Sequence, residues 1–214
     1  MRRRALIAAG AVAIVAGIIG SAIALRGPMS EWQVVFDGYG KGFTQFGTDE
    51  AARYELVPNA ADSARRTHAV LVVGRTEQSD FRLNTQMRTR EQLRVGVAPN
   101  PWDVAWLVWR YRDPEHFYYL TLKTNGWEVG KRDPAYKGGQ RFLATGTAPQ
   151  FAVGDDWRRV GVVADGSVMT VTVDGVELAR VDDTERPMLR GRVGMYTEDA
   201  RVEFGPFRVV PATA

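Results

Sequence analysis

The sequence predicts an all-β fold, two antiparallel sheets packed as a sandwich, preceded by one hydrophobic N-terminal helix. Three observations carry this expectation. Residues Ala5 to Leu25 form a run of 21 residues without charge, with Arg2, Arg3 and Arg4 before it and Arg26 behind it. Beyond Pro28 helical periodicity fades, and short alternating apolar and polar segments recur about every ten residues, as in antiparallel sandwiches. Turn-forming pairs punctuate those segments: Asn125-Gly126, Asp165-Gly166 and Asp174-Gly175 tolerate the positive φ angles of two-residue hairpins. A fourth turn is expected at Asp113-Pro114-Glu115, because proline presets the turn angle and cannot donate to a ladder.

The N-terminal run comes first in the chain. Arginines ahead of an apolar stretch orient it with its basic end inside and the remainder exported. Its length reaches the roughly 20 residues that span a bilayer as a helix, which describes an uncleaved signal-anchor. Gly17, Gly20 and Ser21 thin the run, and Ala22-Ile23-Ala24 has the small-x-small form that signal peptidase accepts, which describes a cleaved signal peptide. Both readings divide the chain into a targeting segment, 1–26, and one folded domain, 27–214. The domain is then secreted or membrane-anchored outside the cytoplasm.

Charge supports the same division. Four of the 28 basic residues belong to the targeting segment, which leaves 24 against 25 acidic ones. A near-neutral domain lacks the basic face that nucleic-acid binding needs. The chain has no cysteine, so disulfides, thiol chemistry and a lipid-modified cysteine anchor are excluded. An exported domain without disulfides depends on its core, which suits a large sandwich. Residues 47–68 read as the weakest stretch, a loop, and Pro211–Ala214 as a short tail.

Hairpin turns fix register, and register fixes which side chains share a face. With Pro114-Glu115 closing the first hairpin, Leu107 lies opposite Leu122, Trp109 opposite Leu120 and Tyr111 opposite Tyr118, a core face that includes Ala105. The other face then pairs Trp106 with Lys123, Val108 with Thr121 and Arg110 with Tyr119. The Asn125-Gly126 turn adds Glu128 opposite Lys123, puts Val129 on the core side with Leu122, and brings Arg132 opposite Tyr119. One sheet is therefore expected to present Trp106, Arg110, Tyr119, Thr121, Lys123, Glu128 and Arg132 away from the core. Aromatic rings stack on sugar rings while charged groups and hydroxyls bond sugar hydroxyls, so this face is a candidate saccharide site. The same pairs would also stabilise an ordinary solvated sheet by about 0.2–1 kcal/mol each. Around the later turns Val160 and Val162 are expected opposite Val171 and Met169, Arg159 opposite Thr172, and Val171 and Thr172 opposite Leu178 and Glu177. Trp102, Trp109, Trp127 and Trp157 read as packing.

Catalytic signatures are sparse. His68 and His116 stand apart with no metal-ligand spacing, and His116 reads as a rim hydrogen-bonding group. There is no nucleophile elbow, phosphate loop or dinucleotide fingerprint. Glu198, Asp199 and Glu203 come nearest to a glycosidase carboxylate pattern without meeting it. Glu128 is the one carboxylate worth testing as an acid or base, and its Lys123 partner would hold it ionised, which suits a base or a sugar contact. Loop carboxylates are compatible with calcium, but no ligand set can be named and no other cofactor is implied.

Several segments resemble one family. Val35-Phe36-Asp37-Gly38 is similar to its opening, and Asp80-Phe81-Arg82-Leu83 to one of its strands. Trp157-Arg158-Arg159-Val160 through Val171–Gly175 resembles hairpins also found in laminin-G-like domains. Gly191–Tyr196 with Val202-Glu203-Phe204 resembles its closing strands. The family is the concanavalin A-like lectin and glucanase superfamily, within it the 3-keto-disaccharide hydrolase-like domains. The resemblance implies a jelly-roll sandwich from Trp32 onward. It implies carbohydrate chemistry: binding of a polysaccharide or glycoconjugate, or alternatively glycoside hydrolysis of the 3-keto-disaccharide type. The acidic segment expected after the central strands is replaced by Phe117-Tyr118-Tyr119-Leu120-Thr121-Leu122, which favours binding over hydrolysis. A third alternative is an envelope protein-interaction domain without a sugar ligand. Membrane association would run only through the N-terminal segment.

Overall fold

The computed structural model describes residues 31–212, so the hydrophobic N-terminal segment and its cleavage lie outside the described residues. Among the described residues no helix is long and apolar enough to cross a membrane. The chain forms strands β1 (Trp32–Asp37), β2 (Gly42–Phe46), β3 (Arg53–Val57), β4 (Ala69–Gln78), β5 (Phe81–Gln92), β6 (Ala105–Asp113), β7 (His116–Lys123) and β8 (Gly126–Arg132). It continues with β9 (Gln140–Gly146), β10 (Arg158–Asp165), β11 (Val168–Val173), β12 (Val176–Asp182), β13 (Gly191–Glu198), β14 (Ala200–Phe204) and β15 (Arg208–Pro211). Strand β3 falls inside the stretch expected to be loop, and Pro211 belongs to β15 rather than to a tail.

Two antiparallel sheets face each other. The seven-stranded sheet runs β1-β4-β13-β6-β7-β8-β9, and the eight-stranded sheet runs β12-β11-β10-β5-β14-β3-β2, with β15 also pairing β5. Strand β5 shows the sandwich logic plainly. Phe81, Leu83, Thr85, Met87 and Thr89 point into the core while Arg82, Asn84 and Gln86 are exposed, the period-two alternation of a half-buried strand. Leu107, Trp109, Tyr118, Leu120 and Val129 meet them from the other sheet. Strands β6 and β7 differ, because they are buried on both faces. A second apolar cluster of Leu71, Val73, Trp106, Val108, Tyr111, Phe117, Tyr119 and Tyr196 covers the outer side of the seven-stranded sheet.

The hairpin registers correct the expected ones in a consistent way. Asp113 pairs with His116 as expected, but Leu107 pairs with Leu120 and Trp109 with Tyr118. In the next hairpin Lys123 pairs with Gly126, so Thr124 and Asn125 form the turn; Glu128 lies opposite Thr121 and Arg132 opposite Phe117. Val162 pairs with Val171 and Gly161 with Thr172, so Gly166 and Ser167 form that turn. Thr172 meets Glu177 as expected, while a bulge sends Val171 to Ala179. Gly126 stands just after its turn and Gly166 opens its turn, each one position from the expected second place, and in both hairpins the register moves by two. A shift of two preserves the faces, so Leu120 and Val129 remain inside and Thr121 and Glu128 outside.

The exception lies between Trp109 and Asp113, where β6 bulges. Arg110 adopts φ 49°, and Gly191 lies against its carbonyl so closely that any Cβ would collide. The bulge reverses the next two side chains. Tyr111 leaves the core for the outer cluster, and Arg110 turns inward, fully buried. Its guanidinium donates to the carbonyls of Gly166 (2.6 Å), Met188 (2.9 Å) and Ser79 (3.0 Å), and lies 3.2 Å from Asp80. Arg110 thus ties three loops together and is not a surface residue.

Two further buried ion clusters close the sandwich. Lys131, at a core-facing position of β8, places Nζ 2.6 Å from Asp183 Oδ2 and 2.6 Å from the Glu185 carbonyl. Tyr118 donates to the same carboxylate at 2.6 Å. Arg94 joins Asp103 at 2.8 Å and Asp199 at 2.7 Å, with both carboxylates inaccessible. These charges sit where loops cross the ends of the core, and each finds a partner, as buried charge must.

Candidate functional site

The outer side of the seven-stranded sheet collects most of the residues singled out by sequence. Register places Phe36, Leu71, Tyr196, Trp106, Thr121, Glu128 and Thr145 in one row across all seven strands. The neighbouring row contains Val73, Gly194, Val108, Tyr119, Gly130 and Phe142. Trp106 packs on Tyr119 with centroids 4.8 Å apart and meets Tyr196 edge-on at 5.3 Å. Its indole donates to the Trp102 carbonyl at 2.9 Å. The aromatic rows therefore stack on one another, and Trp106 is only 4% exposed.

Polar groups converge beside this stack. Tyr119 donates to Glu128 Oε1 at 2.6 Å and accepts from the Gln140 amide. Lys123 Nζ lies 2.9 Å from the other oxygen of Glu128. Burial, then the adjacent Glu128 carboxylate, pushes the Tyr119 phenol well above its ordinary value, so it remains a protonated donor. Gly130 makes this arrangement possible, because the Tyr119 phenol lies where a Cβ would stand.

Two polar atoms on this face have no partner among the described residues. Thr121 Oγ1 is one, on a residue with 0% exposure, and Arg132 Nε is the other. Arg132 uses another nitrogen to reach the Gly138 carbonyl at 3.2 Å. A buried hydroxyl left unpaired costs about 1–3 kcal/mol, and a ligand group reaches it only when the side chains that cover it part. Toward strand β9 the face opens: Gln140 and Arg132 are partly exposed, and Phe142 is 55% exposed.

Of the seven residues expected on this face, Trp106, Tyr119, Thr121, Lys123, Glu128 and Arg132 share it, and Arg110 does not. Four more join them: Gln140, Phe142, Tyr196 and Glu198. The last is 1% exposed and accepts from the Tyr196 hydroxyl at 2.6 Å. Burial lifts its carboxyl to about 7, opposed by the Tyr196 hydrogen bond and reinforced by Asp103 and Asp199. Strand alternation from Tyr196 was the signal that could have found Glu198, and alternation through β9 the one for Phe142 and Gln140. His116 bonds Asp113 at 2.9 Å, a rim contact as expected.

The geometry does not assemble a glycosidase carboxylate pair here. Glu128 and Glu198 are three strands apart, about 14 Å at the usual strand spacing, beyond the 5–10 Å such pairs need. On the other sheet Glu55 and Glu203 are directly opposite, yet each is held by an arginine: Arg201 Nε at 2.7 Å from Glu55 and Arg88 Nε at 2.7 Å from Glu203. Among the described residues no group of three or more His, Asp and Glu side chains could hold a metal.

No protein-family model matches the chain, and no curated protein matches it in sequence. Solved structures do resemble it in shape. A carbohydrate-binding module, CBM66, from Bacillus subtilis aligns with TM-score 0.59 and 14% identity over 84% of this chain and 94% of that one. A glycoside hydrolase family 16 endo-glucanase from Bacteroides ovatus aligns with TM-score 0.56 and 6% identity over 84% and 94%. The exoplasmic/lumenal domain of VIP36, in its Ca2+/Man3GlcNAc-bound form, aligns with TM-score 0.55 and 15% identity over 86% of each chain. The described domain is a concanavalin A-like jelly-roll sandwich, in agreement with the resemblance read from its motifs.

Proposed function

We propose that the chain is a carbohydrate-binding domain that recognises a polysaccharide or glycoconjugate on the outer side of its seven-stranded sheet. The observation that carries this reading is the row Trp106–Thr121–Glu128 with a buried, unpartnered hydroxyl at its centre, beside a neighbouring row that ends on the exposed Phe142 at the open edge of the sheet. Phe142 offers a ring face for stacking. Gln140, Arg132 and the Tyr119–Glu128–Lys123 chain offer donors and acceptors for sugar hydroxyls. The shape shared with a carbohydrate-binding module and with the Man3GlcNAc-bound domain of VIP36 supports the reading. The spacing of Glu128 and Glu198 argues for binding without cleavage. The arginine-flanked N-terminal run supports an exported domain, secreted or anchored outside the cytoplasm.

The test is a glycan array probed with the full-length chain in non-ionic detergent, once with calcium and once with chelator. Binding that Phe142→Ala and Arg132→Gln each weaken at least tenfold is expected. Both positions lie at the open margin, so folding should survive, as circular dichroism would verify. Loss with chelator would add calcium to the site. A blank array, or binding that both variants leave intact, would overturn the reading.

A further inference from the structure

A second surface, on the opposite sheet, has the chemistry of a separate site. The outer side of the eight-stranded sheet carries several paired arginines: Arg88 with Glu203, Arg201 with Glu55, Arg90 with Asp155 and Arg208 with Glu50. Within it lies a cleft of about 590 Å³ whose lining includes Arg53, Asn84, Gln86, Arg159, Thr172 and Arg208, a size typical of ligand pockets. The cleft exists for a backbone reason. Strand β14 ends at Phe204 and β15 resumes beside β5 at Arg208, so Gly205 and Pro206 cross a gap in the sheet. Gly161 lowers the floor, where a Cβ would crowd Thr172 and Asn84.

Two arginines of this cleft lie outside that pairing. Among the described residues neither Arg53 nor Arg159 has a carboxylate within 4 Å, although both line the walls. Arg53 is propped over the Trp157 ring at 5.2 Å, which limits its freedom before any ligand arrives. Arg159 pairs across the sheet with Gln86, and Gly205 donates its backbone N–H to the Gln86 carbonyl at 2.8 Å. Arg159 on β10 and Arg53 on β3 are therefore separated by β5 and β14, three strands apart, about 14 Å between backbones. Between them, on β5, stand the uncharged hydrogen-bonding side chains of Asn84 and Gln86, with Thr172 on the far side of Arg159's strand.

We propose that this cleft binds an acidic oligosaccharide, a hydroxyl-rich chain bearing carboxylates at more than one position. Guanidinium groups take carboxylates in bidentate fashion, and their spacing suits an extended ligand better than a single small anion. The Asn84 and Gln86 amides and the Thr172 hydroxyl match sugar hydroxyls, beside the apolar Ala51, Ala52, Val160 and Pro206 of the lining. This site is independent of the face across the seven-stranded sheet and stands or falls without it.

Isothermal titration of the full-length chain in non-ionic detergent with tetra-galacturonate tests it, with the fully methyl-esterified tetramer, citrate and oligo-glutamate as comparison probes. Binding of the acid tetramer that weakens with salt is expected, with each of Arg53→Gln and Arg159→Gln losing at least tenfold and Thr121→Val losing none. The same thermal midpoint in both arginine variants would exclude unfolding. Equal affinity for the esterified tetramer, equal or tighter binding of citrate, or equal or tighter binding of oligo-glutamate would each overturn the assignment. So would a wild-type affinity in the two arginine variants.

Discussion

Lys131 gives the most direct measure of how the ends of this sandwich are held. Its ammonium and the Asp183 carboxylate are both fully inaccessible and 2.6 Å apart, so water does not screen the loss of either. Lys131→Met leaves Asp183 with Tyr118 and a 3.4 Å contact from Arg141, and strips a donor from the Glu185 and Arg186 carbonyls. Removing one partner of a buried pair costs about 3–5 kcal/mol. For a domain of this size each kcal/mol lowers Tm by about 2–4 °C, so a fall of about 6–20 °C is expected in calorimetry. The double variant Lys131→Met/Asp183→Asn should regain part of that loss, because the uncompensated charge is gone. A single variant within 1 kcal/mol of wild type, or a double variant no better than the single, would refute the reasoning.

Glu198 should make stability depend on pH. Its folded carboxyl titrates near 7 against an ordinary 4.5, so the folded chain holds the proton more tightly, and stability falls as pH rises from about 4.5 to about 7. Glu198→Gln should flatten urea midpoints across that window, removing a difference of about 3 kcal/mol; an unchanged slope would count against it. Gly130→Ala should displace the Tyr119 phenol and cost about 1–3 kcal/mol, a penalty that a Tyr119→Ala background should reduce without erasing in chemical denaturation, because the Arg141 carbonyl also lies 2.9 Å from the added Cβ. Thr121→Val should move stability and glycan binding in opposite directions. Deleting the unpaired hydroxyl should stabilise by about 1 kcal/mol while weakening affinity, and a parallel loss of both would remove Thr121 from the site.

The faces of the central hairpins were legible because they depend on parity, and parity survived a turn misplaced by one residue. Leu120, Thr121, Glu128 and Val129 all kept their sides although each acquired a new partner. The bulge at Arg110 was not legible. It is set by a glycine at position 191, some eighty residues away, which alternation within β6 cannot reveal. Lys131 was equally hidden, since its inward position conflicts with its charge until Asp183 arrives from the loop after β12. The outer aromatic cluster had a visible signal, the unbroken run Phe117–Leu122, in which both parities are apolar. Phe142 escaped because β9 joins β8 through a bulge after Val129, so no turn propagates the register that far.

Strand β13 has a consequence for how the chain comes to be folded. It begins at residue 191, yet it fills the slot between β4 and β6, in the middle of its sheet. Until it is delivered, both of those strands present open edges and the seven-stranded sheet exists as two halves. Closing that slot joins residues more than a hundred positions apart, the kind of non-local pairing that slows folding. A polypeptide whose keystone is made late, with only β14 and β15 to follow, cannot close that sheet early. The same order of completion would serve the export proposed above.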